Sequence, residues 1–194
     1  FCMNPNGEVV QENYNGISTV NGHSYAEKTT NNTNFALLVS EKFTEPFKEP
    51  IQYGQHIARL ANMLGGGILV QRFGDLLDGR RSTPERIKSS IIKPTLTCAT
   101  PGDLSLVIPY RQMTSIIEML QALDKICPGT ASRYTLLYGI EVKFYSARVK
   151  LTNELETEGV KNLFAIGDGA GVTRGLIQAS ASGVHVARTI CARG

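Results

Sequence analysis

The residues best suited to chemistry lie near the end of the chain, in the stretch 160–171. Here a short apolar run, residues 163–166, leads into Asp168, which stands between glycines. A carboxylate in this place can accept hydrogen bonds from ribose-like hydroxyl groups. Gly169 and Gly171 let a ligand approach the backbone closely, because no side chain intervenes. We interpret the stretch as a nucleotide site in which Asp168 binds the ligand rather than transferring protons.

The elements around Asp168 are expected to place it at the edge of a sheet. Residues 163–166 are predicted to form a buried parallel strand, which would deliver Asp168 to the carboxyl edge where open α/β sheets bind ligands. Residues 172–191, rich in small side chains, are predicted to form a helix whose first N–H groups point at the ligand. Two alternatives stay open: Asp168 is an ordinary cap in a structural strand–turn–helix, or it is a ribose ligand in another kind of nucleotide-using enzyme.

The run Asn-Leu-Phe-Ala-Ile-Gly-Asp-Gly at 162–169 resembles the second flavin-binding motif of FAD-dependent oxidoreductases of the glutathione-reductase-like class. In that class the acid hydrogen-bonds the ribityl chain of FAD, and the following helix faces the flavin pyrimidine and the phosphates. The resemblance implies these cofactor-binding residues: Gly167, Asp168, Gly169, Ala170, Gly171, Gly175, Leu176 and Ile177.

A closer resemblance covers nearly the whole chain and points to a group of bacterial and archaeal FAD-dependent dehydrogenases of undefined substrate. Residues 1–10 look like that group's Phe-Cys-Met-Cys-Pro-Gly-Gly run, residues 21–24 resemble its Asn-Gly-Met-Ser, and residues 167–179 resemble its closing flavin motif. The implied candidates on the substrate side are Cys2, which rests on the family run alone, and Asn21, Ser24 and Asn34.

The chain departs from that group in two ways. Asn4 replaces the second cysteine of the family run, so no Cys-x-Cys redox pair is proposed. The family's first flavin motif, a Gly-x-Gly-x-x-Gly that opens a βαβ unit, is absent, and the glycines at 65–67 do not replace it because they follow a predicted helix. The resemblance therefore implies the C-terminal part of a longer flavoprotein. We expect the isolated chain to bind FAD poorly, because dinucleotide phosphates sit on that first turn.

Composition excludes several other classes of protein. The 194 residues are 42% hydrophobic with a net charge of +3, which is typical of a globular protein and gives no strong field toward nucleic acid or membrane. No apolar run reaches the length of a membrane span, and no signal peptide is visible. Four cysteines without a Cys-x-x-Cys favour the reducing cytoplasm and no intrachain disulfide, and three widely spaced histidines favour no metal site.

The hydrophobic pattern predicts a mixed α+β fold. Short strands are expected over residues 1–40, with turns at Asn15-Gly16 and Asn21-Gly22, and further strands at 68–70, 134–142 and 150–152. Long helices are expected near 52–64, 109–127 and 172–191. With the resemblance, this gives a substrate or cap domain of strands and helices at 1–140, and the closing strand and helix of a Rossmann-like FAD-binding domain at 141–194.

Two functions from different classes follow from these observations. The first is the C-terminal portion of an FAD-dependent oxidoreductase, acting on an unknown small molecule with NADH or NADPH as the candidate electron donor. The second is a binding or regulatory domain without redox chemistry, in which the Gly-Asp-Gly turn is structural. Five further side chains are candidates for lining a site, although packing explains each of them equally simply: Tyr25, Tyr53, His56, Arg111 and Tyr138.

Overall fold

The structure, a computed structural model, describes residues 3–143 and 148–193. The chain divides into two compact units, Phe1–Val142 and Lys143–Gly194. Helices and strands both occur, which confirms the predicted mixed α+β class. Each unit is described separately below.

The first unit begins with two pairs of antiparallel strands. Strands β2 (Glu8–Tyr14) and β3 (Ile17–His23) form a hairpin, and the short strands β1 (Met3–Asn4) and β4 (Asn34–Phe35) pair with each other. The hairpin turns at Asn15 and Gly16, whose φ angles of 52° and 81° suit a two-residue turn, as predicted. The second turn, predicted at Asn21-Gly22, is wrong: both residues lie within β3, where they pair with β2.

A three-stranded sheet lies at the centre of the first unit. Strand β5 (Leu69–Arg72) pairs in parallel with β6 (Thr100–Pro101) and antiparallel with β7 (Leu136–Gly139). Four helices accompany it: α1 (Pro50–Gly65), α2 (Phe73–Leu77), α3 (Pro84–Lys88) and α4 (Tyr110–Asp124). Helices α1 and α4 confirm the predictions made from hydrophobic spacing at 52–64 and 109–127. The predicted strands at 68–70 and 134–142 exist, the second with shorter bounds.

The largest core cluster of the first unit joins the sheet to the helices. Phe73 at the start of α2 and Leu120 on α4 are each 1% exposed, and Leu69 of β5 lies in the same cluster. Burying a side chain of this size stabilises a fold by roughly 1.5–3 kcal/mol. This core fixes β5 and the loops around it.

The second unit differs from its prediction in two places. Helix α5 (Leu176–Arg193) begins at Leu176 rather than at residue 172. The buried strand predicted at 163–166 is wrong: these residues make a single bridge, between Phe164 and Glu156, and Leu163 is 51% exposed. A parallel strand needs neighbours for its backbone groups, and the described residues of this unit offer none. Residues 150–152 likewise make one bridge, between Leu151 and Thr157.

Among the helices of residues 3–143 and 148–193, none combines the length and the apolar character that crossing a bilayer requires.

Candidate functional site

Two glycines shape the turn around Asp168. Asp168–Ala170 form one turn of 3-10 helix, preceded by Gly167 with φ 72° and ψ −166° and followed by Gly171 with φ 69°. Residues with a Cβ rarely adopt either of these backbone conformations, and the conformation at Gly167 is essentially restricted to glycine. The Gly171 N–H donates to the Asp168 carbonyl at 3.0 Å and closes the turn. Both glycines are therefore required by the backbone path.

Helix α5 anchors this turn through small side chains. The Gly167 N–H donates to Ser182 Oγ at 3.1 Å, and the buried Ser182 hydroxyl donates to the Ala179 carbonyl at 2.7 Å. A Cβ placed on Gly183 would lie 3.7 Å from Ile166 Cδ1, so α5 approaches the segment before the turn closely. The small residues noted in the sequence thus let the helix hold the turn in place.

The Asp168 carboxylate is exposed on this turn. Its Oδ1 accepts a hydrogen bond from the Thr173 hydroxyl at 2.5 Å. A Cβ built on Gly169 would meet nothing within 4 Å, so the space beside that backbone is open. Because α5 begins only at Leu176, Asp168 does not lie at the N-cap of the long helix. The carboxylate is thus exposed to solvent, with the Thr173 hydroxyl as one of its partners.

The remaining predicted cofactor residues lie at the start of α5. Leu176 and Ile177 are 88% and 81% exposed, and Gly175 precedes them. These two adjacent apolar side chains form an exposed patch at the start of α5. They lie on the helix that holds the Asp168 turn.

The chemistry of the turn fits a hydroxyl-bearing cofactor such as FAD. The exposed Asp168 carboxylate offers oxygens that can accept hydrogen bonds from a ribityl chain, and Gly169 leaves room for the chain to reach them. The sheet edge expected beneath this site is not formed by the described residues of the unit. The fit therefore rests on the turn and helix α5.

On the other unit, the predicted substrate-side residue Asn34 lies in a close polar contact. Asn4 Nδ2 donates to Asn34 Oδ1 at 2.9 Å across the β1–β4 pair. A Cβ on Gly22 would lie 2.1 Å from Asn34 Oδ1 and 2.4 Å from Asn4 Nδ2, so a side chain at that position of β3 would displace both amides. Asn34 Nδ2 is buried and has no hydrogen-bond partner among the described residues. Asn34 therefore contacts both of the runs that resemble the family, through Asn4 in residues 1–10 and through Gly22 in residues 21–24.

The other substrate-side candidates have local partners. Asn21 Nδ2 donates to Glu12 Oε1 at 2.8 Å, and Ser24 Oγ donates to the Pro5 carbonyl at 3.3 Å. Cys2 lies outside the described residues. Asn21 and Ser24 therefore help to hold the β2–β3 hairpin and the N-terminal segment, and Asn34 is left as the candidate with an unsatisfied donor.

Several of the five further lining candidates have packing contacts. The ring of Tyr25 lies edge-on to His23, with 4.4 Å between centroids, and the ring of Tyr53 lies 5.3 Å from that of Phe43. Tyr138 is largely buried in β7, and this burial raises the pKa of its hydroxyl above the ordinary value. His56 and Arg111 are exposed on α1 and α4. All five residues belong to the first unit, whereas the Asp168 turn belongs to the second.

Residues 1–144 match the model of the family described as "FAD-dependent protein, C-terminal domain-like". The chain belongs to this family. It is also 33% identical, over 202 residues, to an uncharacterized protein of Clostridium beijerinckii (strain ATCC 51743 / NCIMB 8052). That alignment covers 98% of this chain and 37% of the relative, so the chain spans little more than a third of the relative's length. The family match includes Asn4, Gly22 and Asn34 and stops before Asp168.

Sequence reasoning missed a buried polar network in this FAD-dependent C-terminal domain. Asp75, 1% exposed, accepts from Ser82 Oγ at 2.8 Å and from Arg80 Nε at 3.0 Å. Gln71, also fully buried, donates to the Arg80 carbonyl and accepts from the Leu104 N–H. Arg80 is itself exposed, and its guanidinium reaches the buried Asp75 carboxylate from the surface. The available signal was a carboxylate inside the apolar run Phe-Gly-Asp-Leu-Leu of α2.

Proposed function

We propose that this chain is the C-terminal portion of an FAD-dependent oxidoreductase of the glutathione-reductase-like class. In the proposal, residues 141–194 contribute the closing part of the flavin domain, and residues 1–140 form the substrate-side or cap domain. The observation that carries the proposal is the exposed Asp168 carboxylate on a glycine-bounded turn, in a chain whose first 144 residues match an FAD-dependent protein family.

Each part of the turn has a role in this proposal. Asp168 accepts a hydrogen bond from a ribityl hydroxyl, and Gly169 leaves room for the cofactor backbone to approach. Ser182 keeps the turn in position through the Gly167 N–H. Leu176 and Ile177, whose side chains are exposed, contact the cofactor or the flavin domain. The flavin would supply the hydride transfer, while these residues bind and orient it.

The proposal also concerns the substrate and the cellular setting. The substrate is a small molecule, NADH or NADPH is the candidate electron donor, and no nucleic acid or membrane partner is invoked. The protein is placed in the cytoplasm on its cysteine usage. Asn34, whose buried Nδ2 finds no hydrogen-bond partner among the described residues, is the best supported substrate-side residue, and the family match includes it.

An absorbance scan of the purified full-length protein tests this proposal. A flavoprotein shows the two visible flavin bands, and addition of NADH or NADPH under oxygen should bleach and restore them during turnover. The 194-residue chain prepared alone serves as the comparison, and we expect it to carry little or no FAD. A colourless full-length protein that does not take up added FAD would contradict the proposal and favour a binding or regulatory domain without redox chemistry.

A further inference from the structure

A cavity of about 630 Å³ lies within the second unit, apart from the ribityl-binding role assigned to Asp168. Its volume falls within the range of about 300–1,000 Å³ that small-molecule sites occupy. One wall is the segment from Arg148 to Asn153, and Glu158 and Val172 line other parts. Both apolar and polar groups face the cavity, so it can cover part of an organic molecule as well as an ionic group.

Two cations line this cavity without a partner. Within the described part of the chain, neither the Arg148 nor the Lys150 side chain has a hydrogen bond or an ion pair. Among the described lining residues Glu158 is the one acid, so they carry one more positive than negative charge. The nearby Glu156 carboxylate is already paired with Arg193, at 2.7 Å. An entering anion would therefore meet two available cations and only one opposing carboxylate.

Backbone hydrogen bonds connect the cavity to the Asp168 turn. The N–H of Val149, in the cavity wall, donates to the Ala170 carbonyl at 3.3 Å. The N–H of Val172, on the other side, donates to the Gly167 carbonyl at 3.4 Å. Residues that border the cavity thus bond to both ends of the turn that presents the carboxylate. A nucleotide bound in the cavity would therefore lie in the same unit as the Asp168 carboxylate.

We infer that this cavity binds the phosphate groups of a nucleotide, with Arg148 and Lys150 as the anion-binding side chains. A guanidinium can donate two parallel hydrogen bonds to a phosphate, and an ammonium adds a point charge. Thr152 and Asn153 offer hydrogen-bonding groups for sugar hydroxyls, and Val172 offers an apolar surface. The nucleotide is the NADPH that would reduce the flavin, because the phosphates of FAD are expected on the first flavin motif, which this sequence does not contain; this identification, unlike the anion site, rests on the proposed function.

The test uses the flavin-free full-length protein and three probes: inorganic pyrophosphate, FAD and NADPH. Each is titrated by calorimetry into the wild type, into the double variant Arg148→Gln/Lys150→Gln, and into the control Arg188→Gln. Arg188 is an exposed cation of α5 outside the cavity lining. We expect the double variant to weaken pyrophosphate binding by about 10- to 100-fold and the control to leave it unchanged. We expect the affinity for NADPH to fall in parallel and the affinity for FAD to stay unchanged; a parallel loss of FAD affinity instead would overturn the assignment to NADPH.

The outcomes separate this inference from the proposed function. Equal pyrophosphate affinity in the wild type and the double variant would overturn the anion site, even if Asp168 variants lose FAD. Loss of pyrophosphate binding in a protein that never binds FAD would support the anion site and contradict the flavoprotein. Pyrophosphate binding without binding of either dinucleotide would overturn the nucleotide assignment. If the double variant does not fold, the single variant Lys150→Gln, at an exposed position, gives the same comparison.

Discussion

At the scale of single residues, the glycines in the runs that resemble the family, residues 1–10 and 21–24, are explained by the close packing of neighbouring backbone and side chains rather than by chemistry. Gly22 has room for no side chain, because the amides of Asn4 and Asn34 occupy the space where a Cβ would stand. Gly7 is similarly confined, since a Cβ there would lie 2.4 Å from the His23 carbonyl oxygen. Gly7 and Gly22 are therefore both packed closely against neighbouring atoms, and Asn4, which pairs with Asn34, contacts both glycines.

The variant Gly22→Ala tests this packing directly. Its Cβ would force the Asn4 and Asn34 side chains apart, so we expect a loss of roughly 1–3 kcal/mol in the free energy of unfolding, as for other overpacked sites. Urea denaturation measures the change. Gly67→Ala is the matched control, because its Cβ would meet only Gln11 Oε1, at 3.8 Å. Equal stability of the two variants would show that the amide pair can move without cost.

At the scale of elements, helix α5 is the support of the candidate site. Ser182 joins the helix to the turn by accepting from the Gly167 N–H. Ser182→Ala leaves that N–H without its partner, so we expect a loss of about 1–3 kcal/mol in stability and a weaker affinity for FAD. Ser180→Ala, on the exposed side of the same helix, controls for helix propensity. Thermal unfolding and FAD titration decide the matter, and identical results for both variants would mean that the helix does not hold the turn.

Glu156 ties the bridged segment 151–164 to the end of α5. The Asn162 N–H, together with the Arg193 guanidinium, holds the pKa of the Glu156 carboxyl below its ordinary value of 4.5. A lowered folded-state pKa adds stability above the unfolded pKa, and this stability is lost as the pH falls through the folded value. We therefore expect Glu156→Gln to unfold at a lower temperature than the wild type at pH 7, with the gap closing below pH 4.5. Glu154→Gln is the control, and a gap of constant size down to pH 3 would refute the ionic contribution.

Local patterns in the sequence predicted those elements whose contacts are mostly local. Helical spacing predicted α1 and α4, and the dipeptide Asn15-Gly16 predicted the hairpin turn. The strand at 163–166 failed, because a run of four apolar residues shows strand propensity but not whether a neighbouring strand exists. The Leu104–Gln71 bond of the buried network and the Asn4–Asn34 pair join residues 33 and 30 positions apart in sequence, so periodicity could not reveal them.

At the scale of the whole molecule, the evidence that links the protein to FAD differs between the two units. The first unit belongs to the FAD-dependent C-terminal domain family by direct comparison, and it contains the best supported substrate-side amide, Asn34. The second unit holds the motif-like turn, and its assignment to FAD rests on the geometry of Asp168 and on the resemblance of the motif. A test at Asp168 is therefore the one that connects the family to the cofactor.

The dissociation constant of FAD from the full-length protein, measured for Asp168→Ala, is that test. Loss of a hydrogen bond to a charged group removes about 1.5–3 kcal/mol, so we expect FAD to bind about 10- to 150-fold more weakly. Asp168→Asn should cost less, because its amide oxygen still accepts, and Glu154→Ala, an exposed acid of the same unit, should change nothing. Thermal unfolding of each variant separates binding from stability. An FAD affinity unchanged in folded Asp168→Ala would contradict the central claim that this carboxylate binds the flavin cofactor.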